Sequence, residues 1–406
     1  MTQAISAPAA RFGEWRIVAP VCAAHFVSHY YMIILAPLFA FIRADYGVSY
    51  TDLALALTAF NVVSAVLQTP AGFLVDHIGA RIVLMAGVAL GAAAFAVAGL
   101  VHSFAVFVAM FAVAGLGNTA YHPANYSLLS QYTPPSRIGQ IFSFHTFAGI
   151  LGSAVAPATL LAMQSHFGWR GAFVGAAILG AIVLALLIFQ WPAEADLAPQ
   201  KHRAAPKAVD EEASWRMLLS PPIMLNLGFF ILISIMGGLN TFLAVASGAL
   251  YGTPDTLANV ALTGLLSMNA VGVLVGGFLA SRTTRHVTVA ALSLALAGIA
   301  TLLMGTIGHS AAVLITMSSL SGMFAGVVSP SRDMLVRSVT PPGAFGRVFG
   351  FVSSGFNIGS MIAPMIYGIL MDHGEPRAVF LIAAACSLLS IGTVVFGISG
   401  RGREQR

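Results

Sequence analysis

Charged side chains are scarce in this sequence. Only 8% of the 406 residues are Asp, Glu, Lys or Arg, whereas 58% are hydrophobic, and a soluble domain carries about 25% charged residues. This scarcity excludes an ordinary water-soluble protein. Cysteine is scarce too, and Cys22 and Cys386 are the only two. Because both lie inside apolar segments, they say nothing about the redox compartment.

Long apolar runs take the place of the missing charges. A helix of about 20 apolar residues crosses a hydrocarbon core about 30 Å thick, and a continuously apolar segment in lipid must be helical to satisfy its peptide groups. We therefore predict twelve membrane-spanning helices, at 16–41, 53–75, 82–101, 104–131, 138–162, 169–191, 217–247, 256–280, 287–307, 311–337, 345–371 and 377–398.

The basic residues are distributed unevenly about these spans. With a cytoplasmic N-terminus, fifteen Lys and Arg residues fall on the cytoplasmic side and three, Arg43, Arg170 and Arg377, fall on the other. This positive-inside bias predicts a multi-pass protein of the cell (inner) membrane with both termini in the cytoplasm. It also explains the net charge of +5 without a nucleic-acid partner. The first span is too long for a signal-peptide core, so we expect it to be retained.

One segment interrupts the apolar pattern. Residues 192–216 are rich in Pro, Ala and charges of both signs, which is typical of a flexible linker. We predict that this linker is cytoplasmic and joins an N-terminal half, 1–191, to a C-terminal half, 217–406.

The two halves are copies of one unit. An offset of 207 residues pairs Pro123 with Pro330 and Gly152 with Gly359, and such residues bend helices or allow their close approach. Because each half has an even number of spans, both copies enter the membrane from the same side, which predicts parallel repeats.

Short motifs carry a family resemblance. In "GFLVDHIGAR", Gly72, Asp76, Gly79 and Arg81 have the spacing of the signature between the second and third helices of the major facilitator superfamily, and "GWRGAF" is similar to a turn common there. The chain resembles this superfamily over essentially its whole length. The resemblance implies an all-α membrane protein of twelve transmembrane helices in two parallel six-helix repeats, which moves a solute by rocking its halves.

A second resemblance is narrower. "HFVSHYY" in the first span and "YHP" in the fourth resemble the fosmidomycin-resistance type of exporter, in which an Asp is expected at the position of His29, and "GSAVAP" is similar to a fifth-helix motif of antiporters. These similarities imply proton-coupled drug efflux as an alternative function.

The signature loop suggests a gate. Asp76 ends the second span, where its charge is unfavourable beside the negative end of its own helix dipole. We expect it to pair with Arg81 or with the N-terminus of the eleventh span, and to gate the cytoplasmic face together with Gly72 and Gly79. The alternative is a solvated loop charge.

Histidines replace acids inside the spans, where ionisable residues usually mark a transport pathway. His25 and His29 are four residues apart and share one helix face near the midplane. His122 and His145 lie nearer the cytoplasmic ends of spans four and five. Pro123 predicts a kink beside His122, and since Pro330 repeats this proline, we expect the kink in both halves. The alternative for each histidine is packing against a neighbouring carbonyl.

The tenth span contains Arg332 and Asp333, which as immediate neighbours should not face each other. We expect Asp333 to pair with Arg337, four residues on, and to leave Arg332 free as an anion-attracting or gating cation. The full predicted substrate and proton pathway is His25, His29, His122, His145, Arg332, Asn125 and Asn357.

The sequence carries no signature of an enzyme. HExxH, GxSxG and Walker motifs are missing, and we expect no metal or cofactor. We predict a monomeric secondary transporter that moves a small organic solute by alternating access, coupled to an ion or a proton. His29 is the favoured proton carrier, since imidazole titrates at about pH 6.5. The alternative from another class is a non-transporting membrane sensor on the same fold.

Overall fold

The computed structural model describes residues 14–133, 137–189, 217–308, 310–340 and 345–399, and these are almost entirely helical. Eleven helices in the described ranges are long and apolar enough to cross a membrane. One of them, 52 residues long, is two predicted spans joined at Gly168, whose φ of 67° breaks the helix. The prediction of twelve spans is therefore confirmed.

The first six spans form eight helical segments. They are α1 (Trp15–Ile33), a 3₁₀ turn (Ala36–Leu38), α2 (Phe39–Tyr46), α3 (Tyr50–Ile78), α4 (Ala80–Leu100), α5 (Phe104–Asn118), α6 (Tyr121–Tyr132) and α7 (Ile138–Phe189). Spans one and four are each divided, whereas α7 contains spans five and six.

The last six spans form seven helices. They are α8 (Pro221–Gly237), α9 (Leu239–Tyr251), α10 (Asp255–Arg282), α11 (His286–Ile307), α12 (Ala311–Val339), α13 (Phe345–Asp372) and α14 (Pro376–Ser399). The seventh span is divided at Gly238 between α8 and α9. The predicted linker, 192–216, lies outside the described residues.

The predicted kink in the fourth span is confirmed. Because α6 begins at Tyr121, Pro123 lies in its first turn, where a missing backbone N–H costs little. The chain break is not repeated at Pro330, which lies inside the continuous helix α12. Gly322 and Gly326 of the same helix pack closely against the backbone of α10.

The duplication is visible in the packing of the helices. Any side chain at Gly152 of α7 would collide with the carbonyl of Phe26 in α1, and one at Gly359 of α13 would lie 2.6 Å from the carbonyl of Ile231 in α8. The glycines differ by 207 residues and their partners by 205. The same close approach of two helices therefore occurs in both copies.

Contacts divide the chain into two compact units. One contains Met1–Ile34 and Ala59–Ala205, and the other contains Leu35–Thr58 and Pro206–Arg406. The second unit thus includes a segment that the sequence assigns to the N-terminal half. In this unit the ring of Phe39 packs 5.2 Å from that of Phe242.

Candidate functional site

Four histidines of the first unit form one cluster. His25 and His29 lie four residues apart on α1, with ring centroids 4.6 Å apart. His145 of α7 stacks on His25 at 3.8 Å with the rings nearly parallel, at 5°. His122 of α6 lies 5.6 Å from His25. The structure therefore joins the histidines that the sequence places on three separate spans.

A glycine makes room for these rings. A Cβ atom at Gly149 of α7 would lie 2.6 Å from Cε1 of His25 and 2.9 Å from Cδ2 of His29, which is closer than van der Waals contact allows. Gly149 follows His145 by four residues, so one face of α7 supplies a ring and, one turn later, the space for two others.

A backbone hydrogen bond determines the tautomer of His25. Its Nδ1 lies 2.7 Å from the carbonyl oxygen of His145. Because a carbonyl oxygen only accepts, Nδ1 carries the hydrogen, and in the neutral ring Nε2 is then an acceptor. His25 is buried, with 4% of its surface exposed, and Nε2 has no hydrogen-bond partner in the described protein.

Helix α6 contributes further polar side chains to the cluster. Asn125 is fully buried and its Nδ2 lies 3.1 Å from Nε2 of His145. His122 and Tyr126 are exposed, and their rings lie nearly parallel, at 19°, with centroids 6.3 Å apart. Because the chain breaks before Tyr121, α6 begins one residue before His122. The start of this short helix therefore determines where the side chains of His122 and Tyr126 point.

Three buried polar atoms of the cluster lack a partner among the described residues: Nε2 of His25, Nδ1 of His145 and Oδ1 of Asn125. Each unpaired buried polar group costs about 1–3 kcal/mol. Native proteins usually avoid this cost. The presence of three unpaired buried atoms in one cluster therefore indicates a functional site.

The cluster is not arranged for a metal ion. No group of three or more His, Cys, Asp or Glu side chains in the described ranges has metal-binding geometry. Imidazole coordinates a metal in the plane of its ring, and the parallel planes of His25 and His145 keep their nitrogens from converging. The arrangement is suited instead to protons and hydrogen bonds.

Sequence reasoning missed three neighbours of the cluster. Besides Gly149, they are Tyr126, whose ring lies 5.5 Å from that of His145, and Ser153, whose Oγ lies 3.4 Å from Nδ1 of His29. Tyr126 is one helical turn from His122, so helical spacing was the available signal.

Two predicted pathway residues, Arg332 and Asn357, belong to the second unit. Nε and Nη2 of Arg332 donate to Oδ1 of Asp333 at 2.9 and 2.6 Å. The prediction that these neighbours cannot pair is therefore wrong, as is the free charge assigned to Arg332. Long side chains can fold back over the helix surface, so Cα directions alone do not exclude a contact between neighbours.

The second unit places Arg332 where the first unit has its cluster. Its guanidinium lies 4.8 Å from the ring centre of Phe230 and 5.6 Å from that of Phe356. The repeat offset of 205 residues makes Phe230 the equivalent of His25 in span one. The offset of 207 residues makes Arg332 the equivalent of Asn125 in span four. The two copies thus have different polar groups at one equivalent position.

The signature loop is described only in part. Gly79 alone separates α3 from α4, and its φ of 96° explains the glycine. Nη2 of Arg81 donates to the carbonyls of Leu187 and Ile188 at 3.4 and 3.3 Å, at the end of α7 where a cation is favourable. The side chain of Asp76 lies outside the described residues.

Several known proteins are similar to this chain. A probable L-galactonate transporter of Escherichia coli (strain K12) is 31% identical over 139 residues, which are 34% of this chain and 31% of that protein. A probable sulfoacetate transporter, SauU, of Cupriavidus necator is 24% identical over 93% of this chain and 92% of its own. A multidrug resistance protein B homolog of Mycobacterium tuberculosis is 24% identical, over 88% and 58% respectively. The match thus covers about a third of the first relative and nearly all of the second.

A solved structure has the same fold. The crystal structure of a bacterial homologue of the human lysosomal transporter Spinster aligns with a TM-score of 0.76 at 14% identity, over 94% of each chain. The sequence model described as Major Facilitator Superfamily matches residues 21–268 and 244–405. Together with the duplicated six-helix packing, this match shows that the chain belongs to the Major Facilitator Superfamily.

Proposed function

We propose that this protein is a secondary transporter that carries a small organic anion across the cell membrane by alternating access, and that the histidine cluster lies on the substrate and proton pathway. The observation that carries the proposal is the cluster itself. Four imidazoles lie together in a membrane interior, where ionisable groups are costly and usually functional, and three of the buried atoms lack partners.

The anionic class follows from the charges available. Protonated histidine attracts an anion, and the hydrogen-bond and ring partners found for the cluster include no carboxylate. Relatives named for L-galactonate and sulfoacetate point to the same class.

Drug efflux is the second candidate, supported by the relative named as a multidrug resistance protein. A lipophilic cation would have to bind beside the protonatable histidines, which disfavour it electrostatically. The exposed ring of Tyr126 is the one cluster feature that favours such a ligand, through cation–π contact.

Substrate binding provides the first test. Melting of the purified protein is followed with sulfoacetate, galactonate and related acids, and with lipophilic cations, because a ligand of the folded state raises the melting temperature. We expect stabilisation by one or more acids, and a reduced shift in His122→Gln, whose ring is exposed. Stabilisation by the cations alone would refute the anion proposal.

Proton coupling is the second part of the proposal. Two positive charges about 4 Å apart repel by roughly 4 kcal/mol at an effective dielectric constant of 20, so the stacked rings of His25 and His145, 3.8 Å apart, carry at most one positive charge between them. His29, His122 and Tyr126 are the other titratable groups against this stack. We propose that the cluster carries one proton per transport cycle, with His29 as its exchanging member.

Liposomes with a trapped pH-sensitive dye test this coupling. His29→Gln should abolish proton movement driven by the acid substrate but leave exchange of the substrate intact. The matched control is His166→Gln, because His166 is exposed and contacts Ser165 and Phe167 instead of the cluster. Proton movement that persists in the His29 variant would shift the role to His25, His122 or His145.

The location in the membrane is tested separately. From the positive-inside bias we propose that both termini lie in the cytoplasm. Green fluorescent protein fused to either end should fluoresce and alkaline phosphatase fused there should be inactive. An active phosphatase at either terminus would contradict this topology.

A further inference from the structure

The N-terminus of α3 has an unusual set of partners. Ser49 precedes the helix and forms a capping box with Asp52: the Asp52 amide donates to Oγ of Ser49 at 2.9 Å, and the Ser49 amide donates to Oδ2 of Asp52 at 3.0 Å. The Leu53 amide donates to the Ser49 carbonyl. This local cap leaves the first two helical amides, those of Tyr50 and Thr51, without a partner from their own segment.

Asp372 supplies those two partners from a distant part of the chain. Its Oδ1 accepts from the Tyr50 amide at 2.7 Å and its Oδ2 accepts from the Thr51 amide at 2.8 Å. Both oxygens of one carboxylate are therefore used, and all of the initial amides of α3 are satisfied. Charge-assisted hydrogen bonds of this length are among the stronger kinds in proteins.

The contact also relieves an unfavourable position of Asp372. This residue ends α13, where a negative charge lies beside the negative end of its own helix dipole. The N-terminus of α3 offers the opposite partial charge. Gly368, one turn earlier, lets the helices approach, because a Cβ atom there would lie 3.0 Å from Cα of Thr51.

We propose that Asp372 is a gating residue of the transport cycle. It ties the second span to the eleventh at the end of the spans remote from the linker, and it must release when these two spans separate. The sequence predicts the mirror arrangement at the other end, with Asp76 at the end of the second span and the start of the eleventh as its partner. In the sequence, Asp372 ends the eleventh span and Asp76 ends the second.

Comparison of the two repeats shows that spans two and eleven differ from the equivalent spans eight and five. The repeat offsets equate Asp372 with Ser165 and Asp76 with Ser281. The symmetry-related pair, spans five and eight, therefore has serine at both positions and lacks the two charges. Helix packing alone would not require acids in one pair and hydroxyls in the other.

Hydrogen exchange tests the contact in the full-length protein in lipid nanodiscs. In Asp372→Asn we expect the amides of Tyr50 and Thr51 to exchange roughly 2- to 10-fold faster, as the loss of a charged acceptor predicts, with no change at Asp52. The matched control is Asp255→Asn, which removes a charge from the first turn of α10. Unchanged exchange at Tyr50 and Thr51 would overturn the proposal.

Accessibility tests the gating role. Ala54 is fully buried beside Gly368, so a membrane-impermeant maleimide should label Ala54→Cys slowly in a background without Cys22 and Cys386. We expect faster labelling when Asp372→Asn is added. If that variant fails to fold, Thr51→Pro is used instead. It removes the Thr51 amide that donates to Asp372, and proline is tolerated in the first turn of a helix. Equal labelling rates in a folded variant and its parent would show that Asp372 does not keep the second and eleventh spans together.

Discussion

At the scale of single residues, the site depends on contacts that the sequence does not reveal. Helical periodicity places His25 and His29 on one face, but His145 is 120 residues away from His25, and nothing in a single sequence states that their rings stack. Gly149 is less visible still, because its role is to have no side chain. Hydropathy therefore identified the candidate histidines and only tertiary packing made them a cluster.

Gly149→Ala tests the space beneath the rings. The added Cβ would overlap His25 and His29, and overpacking costs about 1–3 kcal/mol. We expect a lower melting temperature and weaker substrate binding, with the protein still monodisperse. Gly277→Ala is the control, because nothing lies within 4 Å of its Cβ position, and in α10 alanine should stabilise by up to about 1 kcal/mol. Similar melting temperatures for the two variants would refute this account of Gly149.

At the scale of helices, one proline motif has two outcomes. Pro123 begins a new helix and sets the direction of His122, whereas Pro330 lies within α12. The sequence predicts that a proline disturbs a helix, but it does not specify whether the chain breaks there. The break beside Pro123 therefore agrees with the prediction, whereas the chain does not break at the equivalent position of the second half.

Substituting each proline separates these roles. Pro330→Ala should restore a helix hydrogen bond inside α12 and raise the melting temperature, since an interior proline costs about 3 kcal/mol. Pro123→Ala should change stability little but favour a continuous fourth span, which would turn His122 away and reduce transport. If both variants transport alike and differ from wild type only in stability, the break has no role in the site.

The signature loop makes a second comparison between equivalent elements. Asp76→Asn should weaken transport without preventing folding, because it removes a charge and keeps the size of the side chain. Ser281→Ala, at the equivalent position of the second half, should have a far smaller effect. Both are measured as initial uptake into liposomes, and equal losses would show that the asymmetry between the loops is irrelevant to function.

At the scale of the whole molecule, hydropathy predicted the twelve spans, because lipid restricts a spanning chain to helices, and the family was indicated by the resemblance of short motifs. The grouping of Leu35–Thr58 with the C-terminal residues could not be predicted in this way. Hydropathy places these residues in spans one and two, and the reassignment depends on contacts such as those of Phe39 and Asp372 with residues hundreds of positions away.

This grouping predicts that the chain can be divided at its linker. Fragments 1–205 and 206–406, expressed together with an affinity tag on the second only, should copurify in mild detergent, because Leu35–Thr58 of the first fragment packs with the second. Phe39→Ala should lower the recovery of the first fragment, since truncating a fully buried phenylalanine costs about 3–5 kcal/mol. The control is Phe189→Ala, because Phe189 is 82% exposed and its truncation should leave recovery unchanged. Fragments that purify apart, or equal recovery in the two variants, would show that this segment does not hold the halves together.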